Sequence, residues 1–213
     1  MKYKFVIADD HSIVRHGISI LIKDFYYDSN VSKLSSFSEL IKHLANHRCD
    51  LLILDVNFPE GISLNVIPTL KMLQNDLKIL IFSAYDEDIY AIRYLNAGAN
   101  GYLNKLCEES EIKVAIESIF SNGKYISQNI QNKIFDSFVL NKPTNPLEQL
   151  SNREIQIAKL LVEGHGNVEI SKMLNISKTT ASTYKSRLFE KLSINSISSL
   201  IHIFNVYHNK SIE

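Results

Sequence analysis

Polar residues of three chemical types follow apolar segments of this sequence, at positions where buried strands would end. They are three carboxylates, a hydroxyl and an amine, carried by Asp9, Asp10, Asp55, Ser83 and Lys105. Four consecutive apolar residues precede Asp55, which is typical of a strand buried on both faces of a parallel sheet. Ligands bind at the carboxyl edge that parallel strands share, so we expect these side chains to lie together there.

Such a set of residues could hold a phosphoryl group. Three neighbouring carboxylates repel one another and therefore require a cation. Oxygen ligands suit Mg²⁺, which binds a few carboxylates together with water and phosphate, while a lysine and a hydroxyl bind phosphate oxygens. The predicted chemistry is transfer of a phosphoryl group to a carboxylate. For Asp55 considered by itself, the alternative is a residue that only caps the next helix.

The elements that must position these residues alternate between strand and helix. Strands are predicted at 3–8, 31–34, 51–54, 78–83 and 101–105, and apolar residues at helical spacing follow each of them. This alternation is typical of βαβ units in a parallel sheet. Five repeats fill residues 1–123, which is the size of one domain. The predicted fold class is α/β, with a doubly wound, five-stranded parallel sheet.

The second part of the sequence predicts a small helical domain. Residues 124–146 predict a short amphipathic helix and then a flexible Pro/Asn linker at 141–146. A capping box at Ser151–Glu154 starts the next helix. Two further helices, the first capped by Asn167, are joined by a tight turn at Asn175, which predicts a helix-turn-helix in residues 147–213. The alternative is a purely structural pair of helices.

Length and composition fit a soluble protein of one large domain or two small ones. The 213 residues are 45% hydrophobic, and no apolar run approaches the roughly 20 residues of a membrane span. The start lacks a signal-peptide core, and Cys49 and Cys107 fit reduced thiols, so we expect a cytoplasmic protein without a membrane partner. Residues 1–146 carry 15 basic and 17 acidic side chains, whereas residues 147–213 carry 8 and 6.

Residues 1–123 resemble the receiver domain of two-component response regulators, which has a flavodoxin-like fold. The matching positions are Asp9, Asp10, His11, Asp55, Pro59, Ser83, Ala84, Gly98, Ala99, Gly101, Tyr102 and Lys105. The resemblance implies that Asp55 accepts the phosphoryl group from a sensor histidine kinase. It implies that Mg²⁺ is bound by Asp10, Asp55 and the backbone carbonyl of Asn57, and by Asp9 through water. Ser83 and Lys105 would bind the phosphoryl group, and Tyr102 would be the switch aromatic.

Two positions depart from the receiver pattern. Ser63 stands where the family usually has glycine, with Gly61 nearby, which predicts a reshaped loop beside the site. Leu106 replaces the proline that often follows the lysine, which excludes a cis-proline there. Neither change removes a chemical group from the predicted site.

Residues 147–213 resemble the LuxR-type DNA-binding domain of the NarL/FixJ class. The matches include Ser151, Glu154, Gly164, Asn167, Glu169, Ile170, Leu174, Ile176, Ser177, Thr179, Thr180, Tyr184, Lys191 and Leu192. The candidate DNA contacts are Lys178, Thr179, Ser182, Thr183, Lys185, Ser186 and Arg187. Ser182 and Ser186 stand where the family often has lysines, and Val168 and Ala181 also depart from its pattern. Weak DNA binding by one copy would make dimerisation more necessary.

The combined resemblance predicts a transcriptional regulator that is not an enzyme beyond self-phosphorylation and self-dephosphorylation. Its partners would be a sensor histidine kinase, promoter DNA and, when active, a second copy. The alternative is an atypical regulator that binds DNA without phosphorylation. A haloacid-dehalogenase-type phosphatase would need an acid at Asn57. His43 and His47 have the spacing of metal ligands on a helix, but no third ligand is evident, so we interpret them as a solvated face.

Overall fold

A computed structural model describes residues 2–139 and 145–207 of the chain. Its contacts divide the chain into two compact units, residues 1–132 and 133–213. Most of the predicted linker at 141–146 lies outside the described residues. No helix in the described ranges is long and apolar enough to cross a membrane.

The first unit is built on a parallel sheet of five strands, as predicted. The strands are β1 (Lys4–Ala8), β2 (Asn30–Leu34), β3 (Leu51–Leu54), β6 (Lys78–Ser83) and β7 (Gly101–Asn104). Their spatial order is β2-β1-β3-β6-β7, the flavodoxin-like order. All four residues of β3 are buried, because the strand lies in the middle of the sheet. The carboxyl ends of β1, β3 and β6 therefore meet at one edge.

Helices follow the strands of the sheet. They are α1 (Ser12–Phe25), α2 (Phe37–Asn46), α3 (Ile67–Leu73), α4 (Glu87–Asn96) and α5 (Glu109–Asn122). Ser36 caps α2 by accepting from the Glu39 amide, and Gly123 ends α5 with a φ of 79°, since glycine adopts a left-handed conformation without strain. A core of residues from β1, β3, β6 and β7 packs against α1 and α5.

A small antiparallel hairpin follows the central strand and was not predicted. It pairs β4 (Asn57–Phe58) with β5 (Gly61–Ile62). Phe58 is buried, and its ring lies 4.4 Å from that of Phe37. Gly61 has a φ of 132°, which only glycine adopts readily. The departure from the receiver pattern at Ser63 thus lies directly after a defined hairpin.

The segment after α5 still belongs to the first unit and packs against α5 and the residues before β7. The Tyr125 amide donates to the Asn100 carbonyl at 2.8 Å, and the Tyr125 hydroxyl donates to Glu111 at 2.7 Å. Helix α6 (Gln128–Val139) then begins, which agrees with the short helix predicted in this region. Its residue Ile130 is 2% exposed. The division into two units falls inside this helix.

The described part of the second unit holds four further α-helices. They are α7 (Asn152–Val162), α8 (Asn167–Met173), α9 (Lys178–Lys191) and α10 (Ile197–Tyr207). The predicted capping box is present, since Ser151 and Glu154 bond each other's backbone amides. The prediction that Asn167 caps α8 was wrong. Gly166 is the capping residue, and Glu169 accepts its amide at 2.9 Å, so the helix already includes Asn167.

Candidate functional site

Backbone pairing brings the predicted acidic residues together at the carboxyl edge of the sheet. The Asp55 amide donates to the Ala8 carbonyl at 2.9 Å, which continues the pairing of β3 with β1 past the end of the strand. Asp55 is 5% exposed and Asp9 is 2% exposed. Asp10, which follows, is exposed to solvent. The edge therefore holds two buried carboxylates and one accessible to solvent.

Lys105 joins the two buried carboxylates. The Lys105 amide donates to the Ser83 carbonyl at 2.8 Å. Its Nζ atom lies 3.0 Å from Asp55 Oδ2 and 2.7 Å from Asp9 Oδ2. The sequence predicted this meeting of residues from strands that lie far apart in the chain.

The electrostatics of the cluster follow from burial and pairing. Burial raises the pKa of Asp55 above its usual value and Asp9 adds to the shift, although Lys105 acts in the opposite direction. Burial acts to lower the pKa of Lys105, but its hydrogen bond to Asp9 and the charge of Asp55 outweigh that effect and raise it. Lys105 is thus held as the cation that partly neutralises two buried acids.

The carboxylate cluster fits a small divalent cation. One ligand atom from each of Asp9, Asp10, His11 and Asp55 can be chosen so that all four lie within 4.8 Å of one another. Three of these residues offer the carboxylate oxygens that Mg²⁺ prefers. The backbone of Asn57 follows Asp55 at the start of β4, with its side chain exposed. The structure thus shows an acidic cluster at the edge of the sheet where the sequence predicted one.

Two residues of this site were given no role by sequence reasoning. His11 Nδ1 lies 2.7 Å from Asp10 Oδ1 and 3.2 Å from Asp9 Oδ1, and the His11 amide donates to Asp9 at 2.7 Å. Arg15 Nη1 donates to the Asp9 carbonyl. Arg15 lies one helical turn beyond His11 on α1, which could have suggested this contact. Both residues orient the Asp9 segment.

Ser83 and Tyr102 are linked through Tyr85. Ser83 is 1% exposed and Tyr102 is 3% exposed. The Tyr85 amide donates to Ser83 Oγ at 3.4 Å, and the Tyr85 carbonyl accepts from Tyr102 at 3.0 Å and from Asn104 at 3.1 Å. Burial and then the charge of Asp55 raise the pKa of Tyr85. The loop between β6 and α4 is therefore held by the predicted phosphate-binding and switch residues.

The two departures from the receiver pattern have different surroundings. Ser63 is fully buried and its hydroxyl lies 3.1 Å from the hydroxyl of Tyr94 in α4. Its amide also donates to the Val56 carbonyl at 2.8 Å. Leu106, in contrast, is 89% exposed. The serine at position 63 thus adds a buried hydrogen bond between α4 and the loop that follows Asp55.

Most of the predicted DNA-contact residues are exposed on α9. Ser177 caps this helix by accepting from the Thr180 amide at 3.0 Å. The exposed residues are Lys178, Thr179, Ser182, Thr183, Ser186 and Arg187, while Lys185 is partly buried. Thr183 donates to the Thr179 carbonyl at 2.9 Å, and Lys185 Nζ lies 5.5 Å from the centre of the Phe189 ring. These two side chains therefore have local partners.

A buried acid fixes α9 against α7. Lys191 Nζ lies 2.7 Å from Glu154 Oε2, and Glu154 is 3% exposed. Burial acts to raise the pKa of Glu154, but the hydrogen bonds from Lys191 and Ser151 outweigh it and lower the pKa. Arg153 donates to the Leu174 carbonyl at 2.8 Å, which joins α7 to the end of α8. The helices around the turn at Asn175 are thus held together by polar contacts.

The sequence matches two protein families in succession. The response regulator receiver domain matches residues 5–117, and the luxR family of bacterial regulatory proteins matches residues 148–204. The chain belongs to the NarL/FixJ-type response regulators. Both predicted resemblances are therefore confirmed. Response regulators of this type are transcriptional regulators of two-component systems and form a non-enzymatic family.

Relatives of this response regulator cover almost its whole length. The oxygen regulatory protein NreC of Staphylococcus carnosus is 32% identical over 207 residues, which are 93% of this chain and 94% of NreC. The response regulator GacA of Pseudomonas aeruginosa is 33% identical over 194 residues, 91% of each chain. RcsB from Salmonella enterica serovar Typhimurium, solved bound to a promoter, has a TM-score of 0.73 and 22% identity and covers 96% of this chain and 99% of its own. The similarity to that structure supports the fold described above, a five-stranded parallel sheet followed by a helical unit.

Proposed function

We propose that this response regulator receives a phosphoryl group on Asp55 from a sensor histidine kinase and then binds promoter DNA as a dimer. The observation that carries the proposal is the position of Asp55. It is a buried carboxylate at the end of the central strand, 3.0 Å from Lys105, with Asp9, Asp10 and Ser83 at the same edge. A carboxylate held only for structure would need neither the second acid nor the hydroxyl.

The proposed transfer is a displacement at phosphorus. An oxygen of Asp55 forms the new O–P bond while the N–P bond of a phosphohistidine breaks, and the neutral imidazole leaves. Lys105 Nζ and Ser83 Oγ would donate to the phosphoryl oxygens, where negative charge must be stabilised. Small phosphate donors could react in the same way, and attack by water would reverse the modification.

The acidic pocket would hold Mg²⁺ for this transfer. Asp10, Asp55 and the Asn57 carbonyl are the proposed ligands, with Asp9 acting through water. The bound ion would neutralise charge shared between the carboxylates and the phosphoryl oxygens. Asp9 keeps its hydrogen bond with Lys105, so that one acid positions the amine while Asp10 remains accessible to solvent.

The proposed output is recognition of DNA by α9, in the manner of a helix-turn-helix. Lys178, Lys185 and Arg187 would contact phosphates, and the hydroxyls of Thr179, Ser182, Thr183 and Ser186 would face the base edges. Hydroxyls discriminate bases less sharply than arginine or lysine. RcsB has been solved as two dimers bound to two parallel DNAs, and its similar fold supports the proposal that this regulator also acts as a dimer in the cytoplasm.

Intact mass spectrometry tests the proposed acceptor. The protein is incubated with acetyl phosphate and Mg²⁺, and we expect the mass of one phosphoryl group to be added to the wild type and not to Asp55→Asn. Asp50→Asn is the matched control, because Asp50 precedes the same strand at its opposite end and accepts from the Lys4 amide there. A phosphorylated Asp55→Asn protein would overturn the assignment. A wild type that is never modified but binds promoter DNA would favour the atypical regulator.

A further inference from the structure

A pocket lies between the end of α2 and the first residues of β1 and β2. Its volume is about 330 Å³, and its polar lining includes Lys4, Asn30, Ser32, His43, His47 and Arg48. The acidic cluster around Asp55 lies at the opposite, carboxyl edge of the same sheet. The pocket is therefore separate from the proposed phosphorylation site.

The pocket exists because two small polar residues occupy the sheet face beneath α2. Phe5 and Ile7 belong to the core under α1 and α5, so Val6 and its strand partner Ser32 face the other side, where α2 lies. Asn30, two residues before Ser32, lies on that face too. Neither of these two polar side chains hydrogen-bonds to another residue of the described chain. Their oxygens are thus available to a ligand.

Two imidazoles form the wall of the pocket above this face. His43 and His47 are one turn apart on α2, and their rings stack with centroids 4.6 Å apart. His47 Nδ1 lies 3.3 Å from the His43 carbonyl, and when Nδ1 donates to that oxygen, Nε2 keeps a free lone pair. Burial and then the charge of His47 lower the pKa of His43. Neutral imidazoles at this spacing can bind one metal ion together.

The charges around the pocket favour a metal over an anion. Arg48 Nη2 lies 3.2 Å from Asp76 Oδ2, and the Asp50 carboxylate accepts from the Lys4 amide at 2.7 Å. Each of the two cationic residues therefore has a carboxylate nearby. Neutral imidazoles add no positive charge that would attract an anion.

We propose that His43 and His47 bind a first-row transition-metal ion that prefers imidazole, such as Zn²⁺, with water and the oxygen of Asn30 or Ser32 as further ligands. No third histidine, cysteine or carboxylate of the described residues groups with this pair, so the ion would be exchangeable. It would join the end of α2 to β2 and stabilise the receiver. This inference goes beyond the proposed function and does not depend on phosphorylation of Asp55.

Calorimetric titration of the full chain with ZnCl₂ tests the site, in excess Mg²⁺ to occupy the acidic cluster. We expect His43→Gln and His47→Gln each to weaken zinc binding at least about tenfold. His16→Gln is the matched control, because His16 is an exposed histidine of α1 with no second histidine one turn away. Its Nδ1 also lies close to a backbone carbonyl, that of Ser12 at 2.9 Å.

Nuclear magnetic resonance of the imidazole nitrogens identifies where the ion binds. We expect Zn²⁺ to shift Nε2 of His43 and His47, whereas His11 reports any ion at the acidic cluster. Shifts confined to His11, or zinc affinity that survives replacement of both α2 histidines, would overturn the site. So would an equal loss of affinity in His16→Gln.

A strand variant tests the contribution of the sheet face. Ser32→Val replaces the hydroxyl with an apolar side chain that suits a strand, and Asn30→Val does the same for the amide. We expect the double variant to weaken zinc binding, and unchanged affinity would overturn the role of these oxygens. If inorganic phosphate shifts the two rings and Zn²⁺ does not, the pocket is an anion site and the metal assignment is wrong.

Discussion

The hydroxyl of Ser63 lies 3.1 Å from the hydroxyl of Tyr94, and both side chains are completely buried. Ser63 belongs to the loop that follows the proposed acceptor, and Tyr94 belongs to α4. Burial raises the pKa of Tyr94, against the effect of its hydrogen bonds with Ser63 and the Leu64 backbone. The phenol therefore stays neutral and can donate. The residue that departs from the receiver pattern thus connects the loop after Asp55 to helix α4.

We expect Tyr94→Phe to lower the free energy of unfolding by about 1–3 kcal/mol, because it leaves the buried Ser63 hydroxyl without this partner. Ser63→Ala should cost less, about 0.5–1.5 kcal/mol, since the Tyr94 hydroxyl keeps its contact with the Leu64 backbone. Urea denaturation of both single variants and the double variant measures the coupling. Additive effects of the two substitutions would show that the hydrogen bond contributes no stability.

Metal binding should depend on Asp10. Its carboxylate is partly exposed and lies 2.7 Å from His11 Nδ1, so it can reach an ion without the loss of a buried ion pair. We expect Asp10→Ala to weaken Mg²⁺ binding at least about tenfold in calorimetric titrations and to abolish phosphorylation by acetyl phosphate. Asp24→Ala is the control, because Asp24 is an exposed acid near the end of the same helix α1. An unchanged titration for Asp10→Ala would rule out this ligand.

The pair of Glu154 and Lys191 should make the second unit sensitive to acid. The pKa of Glu154 is lowered in the folded protein. The stability it contributes is therefore fully present above the ordinary glutamate pKa of about 4.3 and is lost as pH falls through the lowered value. We expect the protection factors of the α7 and α9 amides, corrected for the intrinsic pH dependence of exchange, to fall on acidification in the wild type. In Glu154→Gln this particular pH dependence should disappear; its persistence would assign the effect to another group.

The sequence alone predicted those features of the fold and site that a single local pattern or one rule of sheet topology determines. The four apolar residues before Asp55 predicted a central strand, because only a strand covered on both faces buries them all. The capping box at Ser151 was also predictable, since its two partners are three residues apart. The grouping of acids with Lys105 followed from the rule that parallel strands share an edge.

Other features depend on contacts that no local pattern encodes. Ser63 and Tyr94 are 31 residues apart, and Asn129 meets Glu87 across 42 residues. A serine in a loop and an asparagine in a helix have the same local propensities whatever they meet. The error at Asn167 has a local cause: asparagine is a favoured capping residue, but the bond between Glu169 and the Gly166 amide begins the helix one residue earlier.

Binding to paired half-sites should depend on phosphorylation. One DNA-binding unit is small and has three proposed phosphate contacts on α9, namely Lys178, Lys185 and Arg187, so we expect a single copy to bind weakly. Two copies on adjacent half-sites gain affinity through effective concentration, by a factor of about 10²–10⁴. We expect the two DNA-binding units to be related by two-fold symmetry on such a site, with α10 as the proposed contact between them.

Fluorescence anisotropy with single and paired half-sites measures this effect. We expect phosphorylated protein to bind the paired site at least about tenfold more tightly than unphosphorylated protein, with little difference on the single site. Arg187→Ala should weaken both complexes and reduce the slope of affinity against salt by about one ion per copy, because it removes one phosphate contact. Lys159→Ala, at an exposed position of α7, is the control. If both phosphorylation states bind both sites equally well, coupling through dimerisation is wrong and the regulator acts independently of phosphorylation.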